Sequence, residues 1–210
     1  MVSYSAVIGV FAVALALVLT PGPNMIYLVS RSISQGRRAG MVSLAGVALG
    51  FLIYLTATNL GLAAVFTAVP ALYTAVKLAG AAYLAWLAVQ ALRGTVSAFE
   101  PAELQQDSTG RLFTMGLVTN LLNPKIAIMY ISVIPQFVDP AAGHLVLQGF
   151  TLGGVQIVVA VAINLAIVVL AGSIARFLAL RPTWLKVQRY VMGTVLGFLA
   201  VRVAADGGRP

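Results

Sequence analysis

A proline-containing break interrupts the first apolar stretch of this chain. The segment Thr20-Pro21-Gly22-Pro23-Asn24 lies inside an apolar run that extends over residues 6–29. Proline lacks an N–H group and clashes with the carbonyl one turn earlier, so a regular helix cannot continue through this segment. In hydrocarbon no water replaces the lost hydrogen bonds, and broken backbone must be buried in protein or line a cavity. Other parts of the protein must therefore compensate for this break.

The hydrocarbon setting follows from the composition. Hydrophobic residues make up 60% of the chain and charged residues 9%, with a mean hydropathy of +1.00. Uncharged runs cover residues 39–76 and 145–175. Each run exceeds the roughly 20 residues that one helix needs to cross a bilayer. The N-terminus has neither the basic region nor the cleavage site of a signal peptide, so we expect the first span to be retained. We predict an all-α integral membrane protein surrounded by the lipid bilayer.

Hydropathy predicts six transmembrane helices, the first and fourth of them broken at proline motifs. Their expected bounds are residues 5–30, 40–66, 71–92, 112–138, 145–175 and 184–203. The only long hydrophilic stretch lies between the third and fourth helices and is interpreted as a linker. The predicted organisation is a first three-helix repeat over 1–94, a linker over 95–111 and a second three-helix repeat over 112–210.

The two halves share landmarks in the same order. The corresponding pairs are Pro23 and Pro124, Gly46 and Gly149, Gly50 and Gly153, and Gly80 and Gly193. Because each unit has three helices, an odd number, the second unit must enter the membrane from the opposite side. This predicts an inverted repeat, an arrangement common in secondary transporters, where broken helices in corresponding positions indicate the binding site. The glycines let helices approach closely and are predicted to form packing seams within the bundle. A homodimer seam is the alternative, and the sequence does not separate the two.

The second break, Asn120-Leu-Leu-Asn123-Pro124-Lys125, places a lysine inside a span. A lysine at such a depth is costly unless it faces water or a partner. The five carboxylates, Glu100, Glu103, Asp107, Asp139 and Asp206, all fall in loops or in the C-terminal tail. The carboxylate of a ligand is therefore the natural partner of Lys125. The alternative is that Lys125 reaches an interface or binds loose carbonyls at the break.

We predict that the two breaks face each other near the middle of the membrane and bind substrate. Lys125 and the N-termini of half-helices would hold a carboxylate, and Asn24, Asn120 and freed carbonyls would hold an ammonium group. The candidate substrate-binding residues are Thr20, Pro21, Gly22, Pro23, Asn24, Asn120, Asn123, Pro124 and Lys125. Other buried polar candidates, Gln156 and Asn164 among them, are more simply explained as bridges between helices.

The basic residues indicate the orientation. Nine of the thirteen fall in or beside alternate connections, which lie on one side of a six-span protein: Arg31, Arg37, Arg38, Arg93, Arg111, Arg176, Arg181, Lys186 and Arg189. Cytoplasmic loops are enriched in Lys and Arg. Residues 31–39, 93–111 and 176–186 are therefore predicted to be cytoplasmic, and both termini to be outside. The net charge of +8 does not indicate nucleic-acid binding, because basic residues do not alternate with aromatics on one face.

Several function classes lack the residues they require. The chain has no cysteine and a single histidine, His144, so disulfide chemistry and a His-rich metal site are not expected. Neither a catalytic triad nor a glycine-rich phosphate loop is found, and we expect neither an enzyme nor a cofactor. An ion or metal-efflux pore is the main alternative function, although His, Asp and Glu clusters are missing from the spans. A purely structural membrane subunit is a further alternative.

Three stretches carry a family resemblance: Thr20 to Asn24, Lys77-Leu-Ala-Gly-Ala-Ala-Tyr-Leu84, and Phe113-xx-Gly116-xxx-Asn120-xx-Asn123-Pro-Lys125 followed by Pro135-Gln-Phe137. Together they resemble the signature stretches of the LysE/RhtB family of amino-acid exporters. The resemblance covers nearly the whole chain in order. It implies a six-helix protein of the bacterial inner membrane that exports amino acids, homoserine lactones or related metabolites, with transport credited to the proton gradient.

The resemblance does not identify the substrate. No carboxylate lies within a span, so a second positive charge on a substrate would find no counter-charge, and a neutral or homoserine-type amino acid is preferred. A coupled proton would have to use Lys125, the substrate itself or Asp139. We rank Lys125 first among these three candidate proton carriers.

Overall fold

The computed structural model describes residues 2–62 and 106–179 continuously, and scattered helical residues between 75 and 93 and between 187 and 205. All regular structure in the described residues is helical. The predicted third helix (71–92), sixth helix (184–203) and linker (95–111) lie largely outside them, and Gly80 lies wholly outside. The all-helical class predicted from the composition is confirmed for the described part of the chain.

The first helix, α1 (Tyr4–Leu19), stops where the proline motif begins. Ser3 caps its start by accepting from the Ala6 N–H at 3.2 Å. Thr20 is extended, as expected for a residue that precedes a proline. Its hydroxyl donates to the Ala16 carbonyl at 2.8 Å. The predicted first span over 5–30 is thus two helices joined by three residues.

The second helix, α2 (Pro23–Ala57), begins on a proline, which needs no hydrogen-bond acceptor in the first turn. It contains one non-helical residue, Gly36, whose φ of 84° favours glycine. There the chain reverses, because Ser43 lies 3.4 Å from the Tyr27 hydroxyl although sixteen residues separate them. Residues 31–39, expected as a loop, are helical except at Gly36. A π-helical turn, Thr58–Leu62, follows.

The next two helices in the described residues, α3 (Thr109–Leu121) and α4 (Pro124–Ile128), flank the second break. Asn123 caps α4 by accepting from the Lys125 N–H at 3.0 Å. A π-helical turn, Met129–Val133, and a 3-10 helix, Ile134–Phe137, extend α4. The segments before and after the break are bent by 50°. The predicted helix over 112–138 is therefore broken at the predicted place.

The fifth helix, α5 (Leu145–Ala179), follows a compact corner that contains the 3-10 helix Pro140–Ala142. Gln148 closes this corner. Its Nε2 donates to the carbonyls of Asp139 and Gly143 at 2.8 and 2.6 Å, and its Oε1 accepts from the Asp139 N–H. The Asp139 carboxylate accepts from the Ala141 N–H at 2.9 Å and thereby caps the short helix.

The two broken helices run antiparallel, with their breaks at the same level. At one end a Cβ on Gly9 would meet the Phe137 ring, and at the other Arg31 pairs with Asp107. Lys125 lies beside residues 17–22, between these ends. The second arm of α2, residues 37–57, is also antiparallel to α5, because Gly40 lies against Val168 and Leu55 against Gly153.

Glycines mark the closest helix contacts. Added Cβ atoms on Gly46 and Gly116 would collide with backbone atoms of Phe113 and Ser43, respectively, at the seam between α2 and α3. The other predicted packing glycines have side-chain neighbours within the chain: Gly50 contacts Asn120, Gly149 contacts Asn59, Gly153 contacts Leu55, and Gly193 contacts Leu92.

The described helices include candidate membrane spans. Two, Pro23–Gly61 and Leu145–Ser173, are long and apolar enough to cross a membrane, and the pair Thr109–Leu121 and Pro124–Phe137 makes a third if it is one bent span. The helix Tyr4–Leu19 is apolar but shorter. These helices agree with an integral membrane protein.

Candidate functional site

Lys125 connects the two breaks. Its Nζ donates to the carbonyls of Leu17 and Thr20, each at 2.7 Å. These carbonyls belong to the last turn and C-cap of α1, where no next turn of helix supplies N–H donors. The carbonyl end of a helix also carries a partial negative charge that favours a cation. The structure therefore shows the alternative considered from the sequence, in which Lys125 binds carbonyls freed at a break. These carbonyls lie at the first break, whereas Lys125 lies at the second.

Local structure holds the Lys125 ammonium in this place. Asn123 caps α4, Pro124 is its first residue and Lys125 its second, so the lysine leaves the helix in its first turn. Its side chain is buried, with 5% of the residue exposed. A lysine ammonium has three donors, and two are used by the α1 carbonyls.

Gly22 makes room for the lysine. A Cβ at this position would lie 3.0 Å from both Cδ and Nζ of Lys125. Backbone φ is −168° here, an extended conformation open to any residue, so it is the space and not the backbone angle that favours glycine. The first break therefore forms part of the wall around the ammonium group.

A central cavity lies beside this contact. Its volume is about 30 Å³, and its polar lining comprises Thr20, Asn24, Asn123, Lys125, Gln156 and Asn164. The other lining residues are Gly22 and the apolar Ala14, Leu17, Val18, Met25, Phe51, Ile126, Met129 and Ala160. No carboxylate is among them. One positive charge, several neutral polar groups and an apolar wall suit a small zwitterion with a neutral side chain.

Two lining residues have free acceptors. The Oδ1 atoms of Asn24 and Asn164 are buried and have no hydrogen-bond partner. Asn164 Nδ2 donates to the Ala160 carbonyl at 2.8 Å, which leaves the oxygen as its free amide atom. A buried acceptor without a donor costs roughly 1–3 kcal/mol. A bound water or ligand that donates hydrogen bonds would recover this free energy.

The structure brings together five of the nine candidate residues at the cavity: Thr20, Gly22, Asn24, Asn123 and Lys125. The prolines Pro21, Pro23 and Pro124 shape the breaks without lining it. Asn120 is fully buried against Gly50, with both amide atoms unpaired, and does not line the cavity either. Its expected contact with the substrate ammonium has no support in this geometry.

The sequence includes Gln156 and Asn164 among the buried polar candidates and favours a role as bridges between helices, whereas the structure places both in the cavity wall. Gln156 is also a bridge, since its Oε1 accepts from the Tyr130 hydroxyl at 2.6 Å. Tyr130 stacks on Tyr54 with ring centroids 5.7 Å apart. The polar residues of α5 follow no motif, and in the sequence only their place in the uncharged run over residues 145–175 distinguishes them.

A second polar cluster joins the far ends of the broken helices. The Asp107 carboxylate pairs with Arg31 and with Arg111, the latter at 2.9 Å. The Asp107 N–H donates to Gln35 Oε1 at 2.9 Å. Arg31 also lies over the Tyr27 ring, 5.5 Å from its centroid. These contacts link the part of α2 before Gly36 to the start of α3.

The described residues contain no group of three His, Asp or Glu side chains that could hold a metal ion. They present a different construction, in which two proline-broken helices of an integral membrane protein meet around a buried cation. Broken helices that meet at an internal site are characteristic of secondary transporters.

The sequence comparisons agree with this class. The family model of the LysE type translocator matches residues 15–207, and the chain belongs to this family. It is 31% identical to the homoserine/homoserine lactone efflux protein of Salmonella typhimurium over 89% of this chain and 90% of that protein. It is 28% identical to the leucine efflux protein of Salmonella choleraesuis over 91% of each chain. No solved structure matches. The protein is therefore a membrane transporter of an amino-acid efflux family, and not an enzyme.

Proposed function

We propose that this protein is a secondary transporter that exports neutral or homoserine-type amino acids across the bacterial inner membrane, with the substrate carboxylate bound by Lys125. The observation that carries the proposal is the setting of Lys125. Both ion pairs found in the described residues are made by Asp107, and Lys125 contacts only carbonyl oxygens through its Nζ. A buried cation that lacks an anion favours an anionic ligand.

The substrate preference rests on the cavity wall and on the relatives. Met25, Phe51 and Met129 offer apolar contact, and no lining residue carries a negative charge. A cationic side chain would be desolvated there without a counter-charge. The relatives named for leucine and for homoserine or its lactone fit the same preference.

Alternating access is the proposed mechanism, carried by two inverted three-helix repeats over 1–94 and 112–210. The antiparallel packing of the first broken helix on the second, and of residues 37–57 on α5, supports the inversion. The cavity is small, with a volume of about 30 Å³. Alternating access would open it to each side of the membrane in turn, so that substrate can enter and leave.

The substrate carboxylate would compete with the Leu17 and Thr20 carbonyls for the Lys125 ammonium. Its arrival would weaken the contact that ties α4 to the end of α1, so that binding and helix movement are linked. Export would be coupled to the proton gradient. Lys125 is the first candidate to carry the proton, because it lines the cavity, whereas the Asp139 carboxylate caps an exposed turn.

The proposal is tested with purified protein in vesicles. We expect vesicles that contain only this chain to take up labelled L-leucine or L-homoserine in exchange for the unlabelled compound inside. Labelled L-lysine should be taken up at least tenfold more slowly. Empty vesicles provide the control. Failure to move any of the twenty amino acids or homoserine would overturn the proposed function, and preferred uptake of lysine would overturn the substrate preference.

Membrane orientation gives a first prediction. The absence of cysteine means that each single-cysteine variant reports one position. With residues 93–111 inside, Thr109→Cys should react with a membrane-impermeant maleimide only in inside-out vesicles, and Ala141→Cys only in spheroplasts. Both positions are exposed. The reverse labelling pattern would contradict the orientation, and labelling of both from one side would contradict an odd number of crossings between them.

A second prediction concerns the Asp107 cluster, which would close the cytoplasmic end of the transporter. Asp107→Asn removes the charge that pairs with Arg31 and Arg111, leaving the largely buried Arg31 uncompensated. We expect a cysteine at Val18, a cavity residue, to react several-fold faster from the cytoplasmic side in the Asp107→Asn variant. Arg38→Gln, an exposed change nearby, serves as control. Unchanged reaction rates would show that the cluster does not close this end.

A further inference from the structure

We propose that Asn164 of α5 forms, together with Asn24, the subsite for the substrate ammonium group, so that this pair of amide oxygens selects compounds with a free α-ammonium. The inference rests on the proposed function, which supplies a carboxylate site at Lys125. It adds a residue that no proline motif contains and places one wall of the binding site on the helix after the second broken span.

The wall of the cavity has unused hydrogen-bonding capacity. Asn164 is 2% exposed and Asn24 6% exposed, and both line the central cavity. Their Oδ1 atoms have no partner in the described structure. A flip of the Asn164 amide would not give its oxygen a donor. Nδ2 donates to the Ala160 carbonyl, and a flip would place Oδ1 against that carbonyl oxygen instead.

The charges and hydrogen-bonding groups of the cavity complement those of an α-amino acid. An α-amino acid is a zwitterion whose ammonium group has three donors and no acceptor, and amide oxygens are acceptors that match it. The cavity already provides one cation, Lys125, for the opposite group of the ligand. The residues that line this single cavity thus include a cationic donor and two side chains with unpaired acceptor oxygens, the two kinds of group that an α-amino acid requires.

Both acceptors are neutral, which suits a site that must release its ligand. A carboxylate in their place would pair with the Lys125 ammonium and occupy the site in the absence of substrate. Amide oxygens do not neutralise the lysine, and they hold an ammonium by hydrogen bonds that are weaker than a buried ion pair. A transporter must release what it binds, so two amides suit the task better than one carboxylate.

The test compares L-leucine with 4-methylpentanoate, which is leucine without its amino group. Each unlabelled compound competes with labelled L-leucine for uptake into vesicles, and L-homoserine with 4-hydroxybutanoate provides a second pair. For wild type we expect the amino acid to compete at least tenfold better than its deaminated analogue. Asn164→Leu keeps the size of the side chain and removes the oxygen.

The expected result for Asn164→Leu is a roughly tenfold fall in this ratio, toward one, with the deaminated analogue competing as well as in wild type. Asn164→Gln retains a neutral amide oxygen and should retain the preference. The subsite would be overturned if Asn164→Leu kept the wild-type ratio between amino acid and deaminated analogue. It would also be overturned if this variant weakened competition by both compounds equally. A loss of the ratio in Asn120→Leu but not in Asn164→Leu would assign the ammonium to Asn120 and also overturn it.

Lys125→Gln separates this inference from the proposed function. If Lys125 binds the carboxylate, the variant should weaken competition by leucine and by 4-methylpentanoate alike. If it leaves 4-methylpentanoate unaffected while Asn164→Leu still lowers the ratio, the carboxylate role is wrong and the ammonium subsite stands. If wild-type vesicles transport neither homoserine nor any of the twenty amino acids, both proposals fail.

Discussion

Replacing Lys125 with glutamine is expected to reduce amino-acid export by roughly 100-fold while the protein still reaches the membrane. Truncating one partner of a buried, hydrogen-bonded charge pair typically costs about 2–5 kcal/mol, and each 1.4 kcal/mol is tenfold in binding. In the proposed complex the partner is the substrate carboxylate. Export is measured as release of labelled leucine from loaded cells or vesicles, normalised to the amount of protein in the membrane.

The fold should tolerate this change. Glutamine has an amide NH₂ group that can donate to one of the two carbonyls now bound by Lys125 Nζ, those of Leu17 and Thr20. It also removes the cost of a charge in a cavity without a carboxylate. Arg38→Gln makes the same kind of charge loss at an exposed position and is the matched control. Wild-type export by Lys125→Gln at normal membrane levels would refute the role of Lys125.

The positions of both breaks could be predicted from the sequence because proline acts locally. Pro23 and Pro124 each lack an N–H, and each starts a helix after a segment that cannot continue the one before. The contact between the breaks was predicted from the repeat, which sets equivalent elements against each other. Lys125 provides that contact through hydrogen bonds to Leu17 and Thr20.

The remainder of the site depends on contacts between helices distant in sequence, which local patterns do not specify. Asn120 belongs to the motif of the second break and Asn164 to no motif, so the sequence favours Asn120 as a binding residue. Packing separates them, because Asn120 lies against Gly50 and Asn164 beside the cavity. The length of the connection over residues 31–39 was also predicted wrongly. The sequence predicted a nine-residue loop, whereas in the structure the chain reverses at one residue with positive φ, Gly36.

The two interpretations of Lys125 also prove compatible. Binding to the α1 carbonyls explains how the lysine is tolerated before substrate arrives, and the free third donor explains how a carboxylate could approach. A lysine held only by neutral carbonyls is stabilised less than one in an ion pair. It therefore remains available to an anion, which a buried carboxylate partner would prevent.

The seam between α2 and α3 gives the largest expected effect on stability. Added Cβ atoms at Gly46 and Gly116 would collide with backbone carbonyls of Phe113 and Ser43. At Gly46 the Cβ would also lie 2.9 Å from the Leu117 nitrogen. Backbone within a helix cannot move aside as a side chain does, so the helices must separate. We expect Gly46→Ala and Gly116→Ala each to cost about 2 kcal/mol or more.

The measurement is thermal unfolding in detergent, with each melting temperature compared with that of wild type. Gly110→Ala in α3 and Gly154→Ala in α5 are the matched controls, because a Cβ at either position has no neighbour within 4 Å and alanine favours a helix over glycine. The double variant at Gly46 and Gly116 should cost less than the sum of the single variants, since one added methyl group already separates the helices. Full additivity would show that the two glycines relieve separate contacts, and wild-type stability in either single variant would show that the seam can widen freely.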